Sequence, residues 1–283
     1  MIWSPVSGGG RGASAARRAE AFFAERGIPV ESVPSQSLAH ATAVAVEASN
    51  AGHTVAACGG DGLIGAVAAG CSEADGLLGI VPGGRGNDLA RALGIPTDTD
   101  AACALVLGGE ERRIDLGSGN GRPFCCIASL GFDSDANRLA NEAAGNGSLV
   151  YLSAALRALK RWRPATFHLV LDGRKRSFRG YSVVVANTRA YGGGMMIAPD
   201  ADPTDGQFDV ITIADGPKAS FLLRLPLVFL GRHVASPDVT VERASRVEIE
   251  ADRQFDVYAD GDPLCPLPAT IEVLPKALRV RLP

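Results

Sequence analysis

The feature that most restricts the fold is the alternation of strand-like and helix-like segments over residues 1–115. Apolar segments such as HTVAACGG (53–60) and GLLGIVPGG (76–84) each run into a helical pattern. Glycine follows several of the helical patterns, as expected at a helix end. Repeated strand-then-helix units predict a parallel sheet with helices on both faces, that is, a three-layer α/β domain.

The pattern changes near residue 113, after which strand signals dominate. The second part contains a hairpin signal at Asp172-Gly173 and several alternating apolar segments up to the last residues. One helical pattern interrupts it at 148–162, with Lys160, Arg161 and Arg163 at its end. We therefore predict two domains, an α/β domain at 1–115 and an antiparallel β-sandwich from residue 116 onwards.

Composition excludes some function classes. The formal net charge is −3, which argues against a nucleic-acid partner. No apolar run reaches the ~20 residues of a membrane-spanning helix. The closest, FLLRLPLVFLG (221–231), is interrupted by Arg224 and Pro226, and it suits either a packed core or a surface that faces a membrane. The first residues lack a secretion signal and the six cysteines form no C-x-x-C pair, so we expect a cytoplasmic protein with buried thiols.

Three glycine-rich loops follow predicted strands and precede helices. They are SPVSGGGRG (4–12), CGGDG (58–62) and the centre of GIVPGGRGNDLAR (79–91). The carboxyl ends of parallel strands meet at one edge, where ligands bind, and glycine lets backbone N–H groups converge on an anion. The loops therefore predict a phosphate cradle, although each alone also suits an ordinary strand-to-helix turn.

Two acids at helix entrances, Asp61 and Asp88, add a second requirement. A carboxylate in a phosphate cradle repels the ligand unless a cation lies between them, which favours magnesium bridging to nucleotide phosphates. The alternative is that each acid only caps its helix. No G-x-x-x-x-G-K-[ST] motif is present, which excludes a P-loop enzyme.

These motifs, in this order, resemble the diacylglycerol kinase-type lipid kinases, a family that includes sphingosine kinases and bacterial soluble lipid kinases. The resemblance rests on GGDG, PGGRGNDLARALGIP and the first loop. It also rests on SLGFD (129–133), the long stretch 184–213 and YADGDPL (258–264). It implies an NAD kinase-like nucleotide-binding domain facing a lipid-binding β-sandwich at 116–271, with a last strand at 272–283 that returns to the first domain.

The resemblance also implies site residues. ATP would bind at residues of the three loops: Ser7, Gly8, Gly59, Gly60, Asp61, Gly62, Leu63, Gly84, Arg85, Asn87 and Asp88. Asp205 would hold a structural magnesium ion with the backbone carbonyls of Asp202 and Gln207. Asp262 stands where the family has its proposed catalytic glutamate, and Asp61 is the rival base.

Three departures from the family pattern keep alternatives open. Leu63 and Arg85 each replace a threonine, and Asp262 is one methylene shorter than glutamate. The expected activity is ATP-dependent phosphorylation of a primary lipid hydroxyl, such as that of diacylglycerol, by a protein lying peripherally on the inner face of the membrane. An NAD kinase-like enzyme and a non-catalytic nucleotide- or lipid-binding protein are the alternatives. A homodimer is left open.

Overall fold

A computed structural model of the chain describes residues 1–132, 134, 159 and 162–283. The predicted helix at 148–162 lies almost wholly outside these residues, together with Lys160 and Arg161. Elements are numbered here in chain order over the described residues.

The first part contains a parallel sheet, as predicted. Its strands are β1 (Ile2–Trp3), β2 (Val33–Pro34), β3 (Thr54–Gly59) and β4 (Leu77–Pro82), in the order β2-β1-β3-β4. The helices are α1 (Arg11–Ala24), α2 (Leu38–Asn50), α3 (Asp61–Glu73), α4 (Asp88–Ala92) and α5 (Thr99–Gly108). Buried residues of α1 and α5 share one apolar cluster and those of α2 and α3 another, so helices cover both faces.

Local signals explain where these helices begin and end. The Ser37 side chain accepts a hydrogen bond from the N–H of His40 at the start of α2, and Asp98 does the same for Ala101 in α5. Gly27 and Gly52, both at positive φ, follow α1 and α2. The helix ends therefore fall close to the glycines that marked them in the sequence.

Antiparallel strands make up most of the second part. They are β5 (Glu110–Gly119), β6 (Arg122–Phe124), β7 (Ile127–Gly131), β8 (Ala165–Leu171), β9 (Arg174–Ala186), β10 (Phe208–Ala214), β11 (Val239–Ala244), β12 (Arg246–Ala251), β13 (Asp256–Ala259), β14 (Asp262–Pro266) and β15 (Ala269–Leu282). Asp172 and Gly173, both at positive φ, join β8 to β9 in the predicted hairpin. One helix, α6 (Lys218–Val228), follows β10.

The last strand belongs to both parts of the molecule. The start of β15 pairs antiparallel with β12, whereas Arg279 and Val280 pair parallel with β4. Between these segments the pairing with β5 shifts register, and Lys276 has positive φ. The predicted α/β and β-sandwich layers and a strand that reaches back to the parallel sheet are therefore present. The domain limits at 115 and 271 stay predictions.

A buried aspartate holds the irregular point of β15. Asp115, with 1% of its surface exposed, accepts hydrogen bonds from the N–H groups of Lys276 and Gly206, each at 2.7 Å. Its own N–H donates to the carbonyl of Pro203 at 2.7 Å. One side chain thus ties β5, β15 and the 203–206 turn together.

The exposed apolar side chains are concentrated after β10. Leu223 and Leu230 are 78% and 66% exposed, and Phe229 is exposed beside them. The 221–231 segment is therefore in large part surface rather than packed core, and its contact with a membrane stays a prediction. All six cysteines are buried and free, as predicted. Within the described ranges, no helix is long and apolar enough to cross a membrane.

Candidate active site

The three glycine loops meet at the carboxyl edge of the parallel strands. The Ser7 hydroxyl accepts a hydrogen bond from the N–H of Gly60 at 2.7 Å, and the N–H of Gly83 donates to the carbonyl of Gly59 at 2.7 Å. A Cβ on Gly84 would lie 2.5 Å from Cα of Gly60. No side chain fits at that contact, so glycine is required for the loops to approach each other.

Asp61 joins the second loop to the third. Its carboxylate accepts hydrogen bonds from the N–H of Asn87 at 2.9 Å and the N–H of Asp88 at 2.6 Å. Asn87 has a left-handed backbone (φ 52°), and its side-chain oxygen accepts the N–H of Gly84 at 2.9 Å. Asp61 therefore binds the entrance of α4, although it stands in the first turn of α3.

Asp88 points across to the second part of the chain. Its carboxylate accepts a hydrogen bond from the N–H of Gly193 at 2.9 Å, in the glycine loop closed by the Tyr191–Met195 bridge. Burial raises the pKa of Asp88 and the charge of Asp61 adds to this, while the Gly193 N–H opposes it. Asp61 thus caps α4 rather than its own helix α3, and the Asp88 side chain accepts from Gly193 instead of capping α4, so the capping alternative stays open for Asp61 alone.

The two carboxylates have a donor set that suits magnesium. One oxygen of Asp61 and one of Asp88 lie 2.8 and 3.4 Å from the place that a Cβ on Gly86 would take. A hard divalent cation that also binds phosphate oxygens would relieve the repulsion between these two carboxylates. Among the described residues, no group of three or more acidic, histidine or cysteine side chains forms a metal cage. A cation here would complete its coordination with water or substrate oxygens.

Asp262, from the second part of the chain, lies near the second glycine loop. One carboxylate oxygen lies 3.8 Å from the place that a Cβ on Gly62 would take, at the entrance of α3. The side chain is exposed, and its carboxylate has no hydrogen-bond donor among the described residues. The structure therefore brings Asp61 and Asp88 together beside Gly86, and it places Asp262 near the entrance of α3; the role of all three at one site stays a prediction.

The Leu63 side chain points into the core rather than into the predicted phosphate cradle. It is only 4% exposed and packs in the core cluster of α3. Its side chain therefore does not face the cradle, and only its backbone could contact a ligand there. The hydrophobic effect explains this direction, because burying the leucine side chain in the core stabilises the fold more than leaving it in a polar cleft would.

Arg85 is exposed and lies over the first loop. One guanidinium nitrogen is 4.0 Å from the place that a Cβ on Gly9 would take. No carboxylate pairs with it in the part of the chain that the structure describes. Its charge is therefore available to an anion near Ser7 and Gly8.

At the predicted structural magnesium site, an arginine pairs with the expected aspartate ligand. Asp205 contacts the Arg243 guanidinium and accepts the N–H of Gln207 at 3.0 Å. The Asp202 carboxylate accepts both the N–H and the hydroxyl of Thr204. Arg243 pairs with Asp205 here, and the expected metal ligands stay a prediction.

Sequence reasoning missed Asp260, which begins the late D-G segment. Its carboxylate accepts hydrogen bonds from the N–H groups of Cys125, Cys126 and Ile127 at 2.7, 3.0 and 3.1 Å. It anchors the β13–β14 turn that carries Asp262. The adjoining Gly261 at positive φ was a signal for a turn, but not for the strand that the turn would contact.

The buried Asp260 carboxyl predicts that the free energy of unfolding depends on pH. Burial raises its pKa from 3.8 to about 6, although the three N–H donors favour the charged form. Because the folded-state pKa is the higher one, this group's contribution to stability is present at low pH and is lost as pH rises from about 4 to about 6. Asp260→Asn cannot ionise. Its free energy of unfolding should therefore rise relative to wild type over this interval.

Urea unfolding at about pH 4.5 and about pH 7 measures the difference. Asp256→Asn, an exposed change in the same hairpin, is the control. If the free energy of unfolding of Asp260→Asn instead fell relative to wild type as pH rises, the three N–H donors would lower the pKa of Asp260 more than burial raises it.

Comparison with known proteins identifies the family and the fold. The family model for the diacylglycerol kinase catalytic domain matches residues 1–119. The model for the YegS C-terminal NAD kinase beta sandwich-like domain matches residues 126–282. A putative diacylglycerol kinase structure from Bacillus anthracis superposes with a TM-score of 0.83 at 21% identity, covering 100% of this chain and 96% of that one. That likeness concerns the fold.

Curated relatives extend over nearly the whole chain. A diacylglycerol kinase of Mycobacterium tuberculosis is 39% identical over 294 aligned residues, covering 100% of this chain and 94% of the relative. A diacylglycerol kinase of Bacillus subtilis is 30% identical, covering 86% and 85%. The chain therefore belongs to the diacylglycerol kinase family of lipid kinases.

Proposed function

We propose that the protein transfers the γ-phosphate of ATP to the primary hydroxyl of a lipid such as diacylglycerol. The observation that carries this is that the carboxylates of Asp61 and Asp88 lie together beside Gly86 of the third glycine loop, with Asp262 near the entrance of α3. Membership of a kinase family implies ATP as the phosphate donor. Diacylglycerol is the substrate in the names of the relatives.

The loops would bind the nucleotide phosphates through backbone N–H groups, with Ser7 and Arg85 beside them. Asp61 and Asp88 would hold magnesium, which when bound neutralises charge on the phosphates. Asp61 already accepts two N–H groups, so it is poorly placed to take a proton as well. Asp262 has no such donors, and we assign it as the base that accepts the hydroxyl proton.

The kinase assignment predicts that two substitutions remove activity for different reasons. With radiolabelled ATP, magnesium and diacylglycerol in mixed micelles, wild type should yield a labelled lipid. Asp262→Asn should lower kcat by about 100-fold or more, the usual contribution of a positioned base. Asp61→Ala should remove activity because it also releases α4 from the second loop.

Asp256→Asn is the matched control, since it changes an exposed aspartate of the same hairpin. Labelling of NAD instead of lipid would favour the NAD kinase-like alternative. ATP binding without turnover on any lipid would favour a non-catalytic protein.

A lipid substrate also requires access to a membrane. We propose that Leu223, Phe229 and Leu230 form an apolar surface, called here the 223–230 patch, that rests on the lipid. Four of the nine exposed large apolar side chains among the described residues fall in this segment, the fourth being Leu222. The carbonyl of Val228 accepts the N–H of Met196 at 3.0 Å, which links the patch to the glycine loop that contacts Asp88.

The 223–230 patch predicts a loss of vesicle binding without a loss of chemistry. Replacing Leu223 and Leu230 by serine should weaken co-sedimentation with phosphatidylcholine vesicles by about tenfold or more, because each leucine contributes roughly 1.5–3 kcal/mol on burial. Turnover of a dispersed short-chain diacylglycerol should stay unchanged. Leu107→Ser, at an exposed leucine of α5, is the control. Equal vesicle binding by wild type and by the variant with serine at 223 and 230 would contradict the proposal that the 223–230 patch contacts lipid.

A further inference from the structure

A second concave site lies on the α1 side of the glycine loops. It is a cavity of about 630 Å³ between α1, the loop before α4, and the start of α5. None of Asp61, Asp88 and Asp262 is among the described residues that line it. The cavity shares Gly84, Arg85 and Asn87 of the third loop with the proposed nucleotide site, but it opens on the α1 side and extends to Ser14, Thr97 and Thr99.

Arginine dominates the lining. Four arginines, Arg11, Arg18, Arg85 and Arg91, face the cavity, and its described lining includes no carboxylate. Arg18 is paired with Asp100. The other three have no acidic partner within hydrogen-bonding or ion-pair distance in the described ranges. Clustered exposed guanidinium groups raise the local positive potential, which favours binding of an anion there.

Backbone contacts orient two of these arginines. Nε of Arg11 donates to the carbonyl of Gly8 at 3.2 Å, and Nε of Arg91 donates to the carbonyl of Gly86 at 2.8 Å. In each case the terminal guanidinium nitrogens make no further hydrogen bond among the described residues. Such forks, held at Nε and open at the end, match the oxygen spacing of a phosphate group.

The remaining polar lining suits the same ligand. The residues Ser14, Thr97 and Thr99 add hydroxyl groups, which can donate to phosphate oxygens or accept from ligand hydroxyls. We propose that this cavity is a second anion site, in which Arg11, Arg85 and Arg91 bind the phosphate group of a phosphomonoester. Because Arg11 and Arg91 also hold carbonyls of the first and third loops, the bound anion would tie these loops together.

The inference is tested by phosphate binding in the absence of nucleotide. Isothermal titration with inorganic phosphate, at ionic strength held constant with chloride, compares wild type with Arg11→Gln/Arg91→Gln. The double variant should bind phosphate about tenfold or more weakly, since it loses two charged donors. Arg17→Gln, an exposed arginine of the same helix outside the cavity lining, should bind as wild type does. Arg85 is left unchanged because it also borders the proposed nucleotide site.

Three results would overturn the proposal. Wild type binding no phosphate at millimolar concentrations would remove the site. Equal phosphate affinity in the double variant would place the anion elsewhere. A parallel loss of ATP affinity in the double variant would show that the cavity is only part of the nucleotide site. None of these readouts depends on kinase turnover, so they remain decisive if the proposed function fails.

The same variants identify the source of the phosphate. Co-sedimentation with phosphatidylcholine vesicles, with and without phosphatidic acid, offers the group on a lipid. A defect of Arg11→Gln/Arg91→Gln confined to the phosphatidic acid vesicles would support the site with a lipid headgroup as its ligand. Unchanged vesicle binding, together with weakened binding of free phosphate, would support it with a soluble phosphate compound as its ligand.

Discussion

The close approach of the second and third glycine loops is the constraint on which the rest of the site depends. Gly60 and Gly84 are so near that a single added carbon would clash, and Asp61 spans the gap to bind two N–H groups of the α4 entrance. This contact brings a carboxylate and backbone N–H groups to one point. It also places negative charge where phosphates would bind. The arrangement is stable for a phosphate ligand only with positive charge nearby, from a cation or from arginine.

The second physical requirement is that a distant part of the chain reaches this point. The last strand runs from the β-sandwich into the parallel sheet, and buried Asp115 holds its irregular segment. Asp260 then fixes the turn that presents Asp262, and Gly193 donates to Asp88 from a third direction. Pairing across the sheet thus decides which carboxylates can act together.

Sequence patterns predicted the parts governed by local rules. Helix caps, positive-φ glycines and strand-to-helix order are read within a few residues, so the α/β layers and the hairpin at Asp172 were accessible. Asp115, Asp260 and Arg243 were not, because their partners lie far away in the sequence and a lone acid or arginine has no periodicity. The inward turn of Leu63 was missed for a related reason, since loop membership alone does not show which way a side chain packs.

The central claim is that the paired carboxylates Asp61 and Asp88 make nucleotide binding depend on a divalent cation. Isothermal titration of ATP into the wild-type protein, with magnesium and then with EDTA, tests this most directly. The account predicts an affinity at least about tenfold higher with magnesium, because removing the cation leaves carboxylates facing phosphates. Equal affinity under both conditions would contradict it, and would mean that arginine and backbone N–H groups alone hold the phosphates.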